Sequence, residues 1–131
     1  MAPQLEVVPI ADQPDESQVP TREQIETELA SELLRIHEES YGRGAQIAKA
    51  LLGEDWVVVM LDDLELLPNE KFLVESGDAE AVAQMRARYQ QAIQSSFRAA
   101  VERATGRTVV GFLSATNVEE PRFVAEIFKL A

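Results

Sequence analysis

The sequence predicts an α+β domain built in two layers, and two observations support this prediction. Amphipathic helical segments alternate with two pairs of short, strand-like segments, and each pair is joined by a turn. Strands joined by tight turns pair antiparallel, and helices separated from such hairpins pack on a face of the sheet. We therefore expect the order α-β-β-α-α-β-β, in which two long helices and one short helix pack against a four-stranded antiparallel sheet.

The composition indicates one domain preceded by an arm. The chain has 131 residues, which suits a single domain. Residues 1–20 hold four of the six prolines and several acidic residues. Because proline interrupts helices and central strands, we expect residues 1–20 to be a disordered acidic arm and residues 21–131 to form the domain.

The first helix and the first hairpin follow from capping signals and residue type. Thr21 and Gln24 match a capping box, and Gly42 suits the position after a helix because glycine adopts positive φ. Between them runs an apolar stripe of Ile25, Leu29, Leu33, Ile36 and Ser40. The β-branched and aromatic run from Trp56 predicts a strand over 55–62. Segment 45–52 fits a helix or a strand, and we favour a strand paired with 55–62.

The second half predicts a short helix, a long helix and another hairpin. Pro68 can begin a helix that ends at Ser76-Gly77. The next helix, about 78–105, should measure roughly 42 Å, which is longer than the domain is wide, so part of it should overhang or find a partner. Its stripe contains Val82, Met85, Tyr89, Ile93, Phe97, Ala100, Val101 and Ala104. The strands are predicted over 108–116 and 122–130, and the second is apolar on both faces, which favours a second subunit against it.

Charge and cysteine content exclude several classes of function. The net charge is −11, which disfavours nucleic-acid binding and adsorption to anionic lipid. The absence of cysteine excludes disulfides and thiolate metal sites. The sequence starts without the features of a signal peptide, and its longest apolar run, Trp56 to Leu61, is too short for a membrane helix. We expect a cytoplasmic protein that is not inserted in a membrane and has no cofactor.

One loop is a candidate binding site. Gly42-Arg43-Gly44 could present backbone N–H groups and a guanidinium to a phosphate or carboxylate, with Lys71 and Arg107 joining from other element ends. The loop follows a helix, whose C-terminal end is negative, whereas phosphate loops precede helices. A turn in which Arg43 pairs with a nearby acid such as Glu38, Glu39 or Glu70 is the favoured alternative.

The remaining candidates favour structural roles over catalysis. His37 is the sole histidine and is predicted on the helix surface or at its boundary. Asp62, Asp63 and Glu65 could bind a divalent cation, but their spacing favours a turn at the strand end. Ser114 and Thr116 lack a nearby histidine in the pattern. The aromatic residues are predicted to pack in the core: Trp56, Tyr89, Phe97 and Phe112.

Four short segments together resemble the MpsC family, which is named for a sodium-translocating, membrane-potential-generating system. They are Tyr41-Gly42-Arg43-Gly44, Leu66-Leu67-Pro68-Asn69-Glu70-Lys71, Thr105-Gly106-Arg107-Thr108-Val109 and Gly111-Phe112-Leu113-Ser114. The resemblance spans about residues 24–129. The chain departs from the family pattern at Ala45, where proline is usual, and at Leu67, where threonine is frequent.

The resemblance implies an accessory protein connected with membrane ion or solute transport. Together with the lack of a catalytic set, it predicts a non-enzymatic, homodimeric interaction module with a membrane transport protein as partner. The alternative is a regulatory domain that senses a small anion or nucleotide near Gly42-Arg43-Gly44. A metal-dependent enzyme using Asp62, Asp63 or Glu70 is the third possibility.

Overall fold

The computed structural model describes residues 19–42 and 44–131, and within them the elements follow the predicted order. Residues 1–18 of the expected arm, and Arg43, lie outside the described residues. The elements are α1 (Arg22–Tyr41), β1 (Ile47–Leu52), β2 (Trp56–Asp62), α2 (Pro68–Glu75), α3 (Ala79–Thr105), β3 (Val109–Asn117) and β4 (Phe123–Leu130). The predicted α+β class, with a four-stranded antiparallel sheet, is confirmed.

The ends of α1 form as the sequence predicts. The Gln24 N–H donates to the Thr21 hydroxyl at 3.1 Å, and the Thr21 N–H donates to the Gln24 side chain at 2.9 Å. Gly42 has φ of 73° and donates its N–H to the Glu38 carbonyl. These bonds satisfy terminal backbone groups that a helix leaves unpaired, so α1 has fixed limits.

The sheet has the strand order β1-β2-β4-β3. Segment 47–52 is a strand, and each predicted hairpin forms, as β1–β2 and β3–β4. The two hairpins join through β2 and β4, which pair antiparallel from Trp56 opposite Lys129 to Asp62 opposite Phe123. The result is one continuous sheet with β1 and β3 at its edges.

The hydrophobic core lies between the helices and one face of this sheet, the inner face. Its fully buried side chains include Leu29 and Leu33 from α1, Phe97 from α3, and Phe128 from β4. The ring of Phe112 lies 6.3 Å from that of Phe97 and 5.1 Å from that of Phe128. These contacts hold α3 against the C-terminal hairpin.

The predicted buried faces of the helices need correction. In α3, Arg86 and Gln90 are buried at 1% exposure, while Met85 and Tyr89 are 49% and 37% exposed. The first half of α3 does not overhang, because α1 and α2 pack against it. The predicted stripe is confirmed at Val82, Phe97, Ala100 and Val101, and between them the buried positions are Arg86 and Gln90, each one residue later than predicted.

Three further placements differ from the prediction. His37, expected at the surface, is fully buried because it follows Leu33 by four residues and shares its helix face. Tyr41 is buried where Ser40 was expected. Trp56 is 40% exposed because its strand position faces away from the helices, so its assignment to the core was wrong.

Candidate functional site

The face of the sheet that points away from the helices, here called the outer face, carries an apolar row across all four strands. Leu51 on β1 lies opposite Val58 on β2, and Val58 lies opposite Ile127 on β4. Ile127 in turn lies opposite Leu113 on β3. Cross-strand neighbours on one face are about 5 Å apart, so these four side chains form a continuous band.

This row is open to solvent. Leu113 is 69% exposed, Leu51 is 60% exposed and Ile127 is 40% exposed. The neighbouring row pairs Lys49 with Met60, Ala125 and Ala115, so it is also largely apolar. Exposed apolar residues occurring singly are ordinary, but a contiguous patch of this kind is typical of an interaction surface.

A buried ion pair lies on the helix side of the domain. The Arg86 guanidinium donates from Nε and Nη2 to the two Glu70 carboxylate oxygens at 2.8 and 2.7 Å. Glu70 also accepts from the Leu67 N–H at 2.8 Å, which satisfies one end of α2. Burial alone would raise the pKa of Glu70, but the Arg86 and Leu67 hydrogen bonds hold that pKa below its usual value. Both groups therefore remain charged and fix α2 onto α3.

Aromatic rings enclose this ion pair from the α1 side. The Arg86 guanidinium carbon lies 4.4 Å from the centre of the Tyr41 ring. The centres of the His37 and Tyr41 rings are 4.6 Å apart. The Tyr89 ring meets Tyr41 edge-on, and its hydroxyl donates to the Ser40 carbonyl at 2.8 Å. Burial, helped by the Arg86 charge, lowers the pKa of His37 to about 4, so the imidazole is neutral at pH 7.

Glu126 is a second buried carboxyl, and it has no cationic partner among the described residues. It lies on the inner face of β4 and is fully buried between Val59 and Ser114 on the flanking strands. Neither of its carboxyl oxygens has a hydrogen-bond partner. Burial raises the pKa of Glu126 to about 8, and this effect outweighs the opposing effect of the nearby Ser114 hydroxyl. The side chain is therefore mainly a neutral acid at pH 7.

The predicted loop begins next to a small pocket above the ion pair. This pocket has a volume of about 160 Å³, and its walls include Tyr41, Leu67, Arg86 and Tyr89. Gly42 ends α1, and Gly44 is buried with its carbonyl accepting from the Glu65 N–H at 3.3 Å. A Cβ at position 44 would lie 2.7 Å from His37 Nδ1. The positive φ of Gly42 and the close packing of Gly44 against His37 therefore give a structural reason for each glycine.

Comparison with protein families identifies the chain. The family model described as Na+-translocating membrane potential-generating system (MpsC) matches residues 21–131. The chain belongs to the MpsC family. Comparisons of this MpsC-family chain with curated proteins and with solved structures gave no match.

The other two predicted site residues of the MpsC-family domain lie in different places: Lys71 lines a depression together with Gln46 and Glu65, near Gly44, and Arg107 lies at the far end of β1. Lys71 is exposed on α2 and borders a shallow depression near Asp63 and Arg122. Arg107 donates to the Ala131 carbonyl at 2.6 Å and to the Glu54 carbonyl, so it joins the chain after β4 to the β1–β2 turn. That turn and Gly44 lie at opposite ends of β1, so the structure does not bring Arg107 to the loop.

The described part of the MpsC-family chain contains neither a helix that could cross a membrane nor a group of metal ligands. None of its helices combines the length and the apolar character needed to cross a membrane. Within residues 19–42 and 44–131, no three His, Cys, Asp or Glu side chains form a group that could hold a metal ion.

The sequence predicted that β4 is apolar on both faces, but it identified neither the row across all four strands nor the buried Glu126. A signal existed for both. In β4 the alternation that places Val124 and Phe128 inside also places Glu126 inside, and places Ile127 outside. In β3 the same alternation places Leu113 outside. An acid at an inward position and large apolar residues at outward positions are the departures that indicate special sites.

Proposed function

We propose that this MpsC-family chain is a non-enzymatic, cytoplasmic accessory module of a Na+-translocating membrane system, and that it works as a homodimer. The observation that supports the dimer is the exposed row Leu51, Val58, Ile127 and Leu113 on the outer face. Two such faces related by a twofold axis present the same apolar surface to one another, which is the usual geometry of a dimer. The transport context is taken from the family description.

The exposed area sets the expected strength of the dimer. The exposed parts of Leu51, Leu113, Ile127 and Trp56 together equal about two fully exposed large side chains per copy. Burying them in both copies gives roughly 6–12 kcal/mol, against an association cost of at least about 4 kcal/mol. The surplus is at most about 8 kcal/mol, so we expect a dissociation constant no tighter than about 1 µM.

The dimer is tested with one outer-face variant and one matched control. Leu113→Glu places a charge in the row, and Phe72→Glu changes an apolar residue of α2 that is 68% exposed, against 69% for Leu113. Sedimentation velocity should show wild type and Phe72→Glu associating between about 1 µM and 1 mM, with Leu113→Glu remaining monomeric. Equal association of all three proteins, or none in wild type, would refute the dimer.

The transport context needs its own experiment. Tagged wild type, Leu113→Glu and Phe72→Glu would be incubated with native membranes, and the retained proteins identified by mass spectrometry. The proposal expects wild type and Phe72→Glu to retain the same membrane transport protein. If neither protein retained one, the accessory role would fail while the dimer result would stand.

A second candidate function is the sensing of a small anion near Gly42-Arg43-Gly44. It is favoured by the pocket of about 160 Å³ that lies at the end of α1 and has Arg86, paired with Glu70, in its wall. A thermal-shift series with nucleotides, phosphate, bicarbonate and carboxylates tests it. Stabilisation by one of these anions, lost in Arg43→Ala, would support sensing, and no stabilisation by any of them would exclude it.

A further inference from the structure

Strand β1 is an edge of the sheet, so half of its backbone groups point away from β2. The Gly53 N–H donates to the Trp56 carbonyl at 2.8 Å, which fixes the phase of the β1–β2 ladder. Hydrogen-bonded and non-hydrogen-bonded residue pairs alternate along an antiparallel ladder. The backbone N–H and C=O groups of Ala48, Ala50 and Leu52 therefore point away from β2, to the open side. A hydrogen bond supports this orientation, because the Leu52 N–H donates to the Glu26 carboxylate on α1 at 2.9 Å.

The open groups line a cleft between α1 and β1, here called the edge groove. It has a volume of about 590 Å³, and its walls include Glu23, Glu26 and Leu34 from α1 and Ala48 and Ala50 from β1. In the described residues, no backbone hydrogen bond reaches Ala48 or Ala50 from the open side. Four β1 residues line the groove, so its length is about 14 Å, which fits four or five residues of extended chain.

The opposite edge of the sheet, β3, is obstructed at its start. At the start of β3 the Val109 N–H donates to Glu102 at 2.8 Å, and the Val109 carbonyl accepts from Arg98. A register shift between Val109 and Gly111 bends this strand further. The bulge and the covering side chains obstruct strand addition at the start of β3, whereas β1 is regular over its six residues.

The chemistry of the groove changes along its length. Glu26 marks the end near Leu52, and because α1 and β1 run in opposite directions, Leu34 lies toward Ala48. The first end is acidic, with Glu23 and Glu26, and the second combines Leu34 and Ala48 with Lys49, whose side chain lies on the exposed side of β1. Eight residues of helix separate Glu26 from Leu34, about 12 Å, which equals nearly four residues of strand. Side chains four positions apart on a strand point to the same side.

We propose that the edge groove binds an extended segment of a partner protein, which adds to β1 as a fifth strand. This segment has a Lys or Arg four positions from a large apolar residue, so that one meets Glu23 and Glu26 and the other meets Leu34. Backbone hydrogen bonds to Ala48 and Ala50 give affinity, and the two side chains give specificity. The inference concerns the backbone edge of the sheet and not its outer face, although Leu51 borders both surfaces.

The probe is a fluorescein-labelled pentapeptide, Arg-Thr-Val-Thr-Leu. The reversed sequence is tested as well, because the added strand can run parallel or antiparallel to β1. Fluorescence anisotropy measures binding in the Leu113→Glu background, where the outer-face assembly is removed. Hydrogen exchange of the Ala50 amide is the second readout, since an unbonded edge amide exchanges fast and a paired one is protected. The proposal expects saturable binding of one peptide together with protection of Ala50.

Two protein variants and one peptide variant separate backbone pairing from charge. Ala50→Pro removes an outward N–H and leaves the β2 ladder intact, and should weaken binding about tenfold. Glu23→Gln with Glu26→Gln should weaken it between about twofold and thirtyfold, while the control Glu28→Gln, on the same helix outside the groove, should not. A peptide methylated at alternate backbone nitrogens should lose binding without any change in the protein.

Three results would overturn the proposal. The first is no saturable binding of either peptide up to about 1 mM, where even a weak complex would be seen. The second is equal binding of methylated and unmethylated peptide, which would mean attraction by charge alone. The third is self-association of the Leu113→Glu protein that Ala50→Pro abolishes, since the edge would then be occupied by a second copy of this chain.

Discussion

Replacing Glu126 by glutamine should stabilise the protein in mildly alkaline solution and leave it almost unchanged in acid. The pKa of Glu126 is about 8 in the folded chain against an ordinary value of 4.5. Between these values the folded chain keeps a proton that the unfolded chain releases, so the free energy of unfolding falls as pH rises through this range. The full difference corresponds to about 5 kcal/mol, and Glu126→Gln removes it.

The titration of His37 changes the free energy of unfolding in the opposite direction over part of this pH range. Its pKa is about 4 in the folded chain and 6.5 in the unfolded one, so its contribution to stability increases between these pH values. The two trends offset each other below pH 6.5. From pH 6.5 to 8 only the Glu126 trend remains, and it should lower the free energy of unfolding by about 2 kcal/mol.

The assay is urea unfolding at several pH values from 4 to 9. Wild type and the control Glu119→Gln, an exposed acid in the β3–β4 turn, should lose stability between pH 6.5 and 8. Glu126→Gln should stay level over that range and exceed wild type by several kcal/mol at pH 8. If the curves of wild type and Glu126→Gln ran parallel from pH 6.5 to 9, the assignment of a neutral buried acid would be refuted.

Three further substitutions test the buried ion pair, the close approach at Gly44 and the cap of α1. Arg86→Ala leaves Glu70 buried without its partner and should lower the free energy of unfolding by about 3–5 kcal/mol in urea titrations; a loss near zero would contradict the buried pair. Gly44→Ala brings a Cβ to 2.7 Å from His37 and should cost about 1–3 kcal/mol, whereas Gly111→Ala, with its nearest atom at 3.5 Å, should be mild, and equal costs would argue against the close approach. Thr21→Ala removes the α1 cap, so thermal unfolding should show a loss of about 1 kcal/mol, and an unchanged melting temperature would contradict the cap.

The fold was predictable because local signals agreed with the tertiary structure. Thr21 with Gln24, and Gly42 with its positive φ, defined the limits of α1 before any packing was known. The run from Trp56 formed a strand because β-branched residues suit a pleated, packed surface. The pairing of β2 with β4 was not predictable from these signals, because it joins segments that no turn connects.

The candidate site was less predictable because polar residues occupy core positions there. Arg86 and Gln90 lie at four-residue intervals from Val82, so they share its buried face, but hydrophobicity favoured Met85 and Tyr89. Arg86 is buried because Glu70 neutralises it, and that partner lies on another helix. The periodicity of one helix does not show that its charge is neutralised by a residue on another helix. The buried positions in the first half of α3 were therefore predicted wrongly.

The strand order has a consequence for how the chain reaches its folded state. Each hairpin can form from neighbouring residues, but the β2–β4 seam at the centre of the sheet joins residues about 70 positions apart, such as Val58 and Ile127. Closing so long a loop is slow compared with forming helices or hairpins. Until that seam closes, each hairpin has an additional free edge on which other chains can pair. Folding speed and resistance to aggregation should therefore depend on β2 and β4 more than on the edge strands β1 and β3.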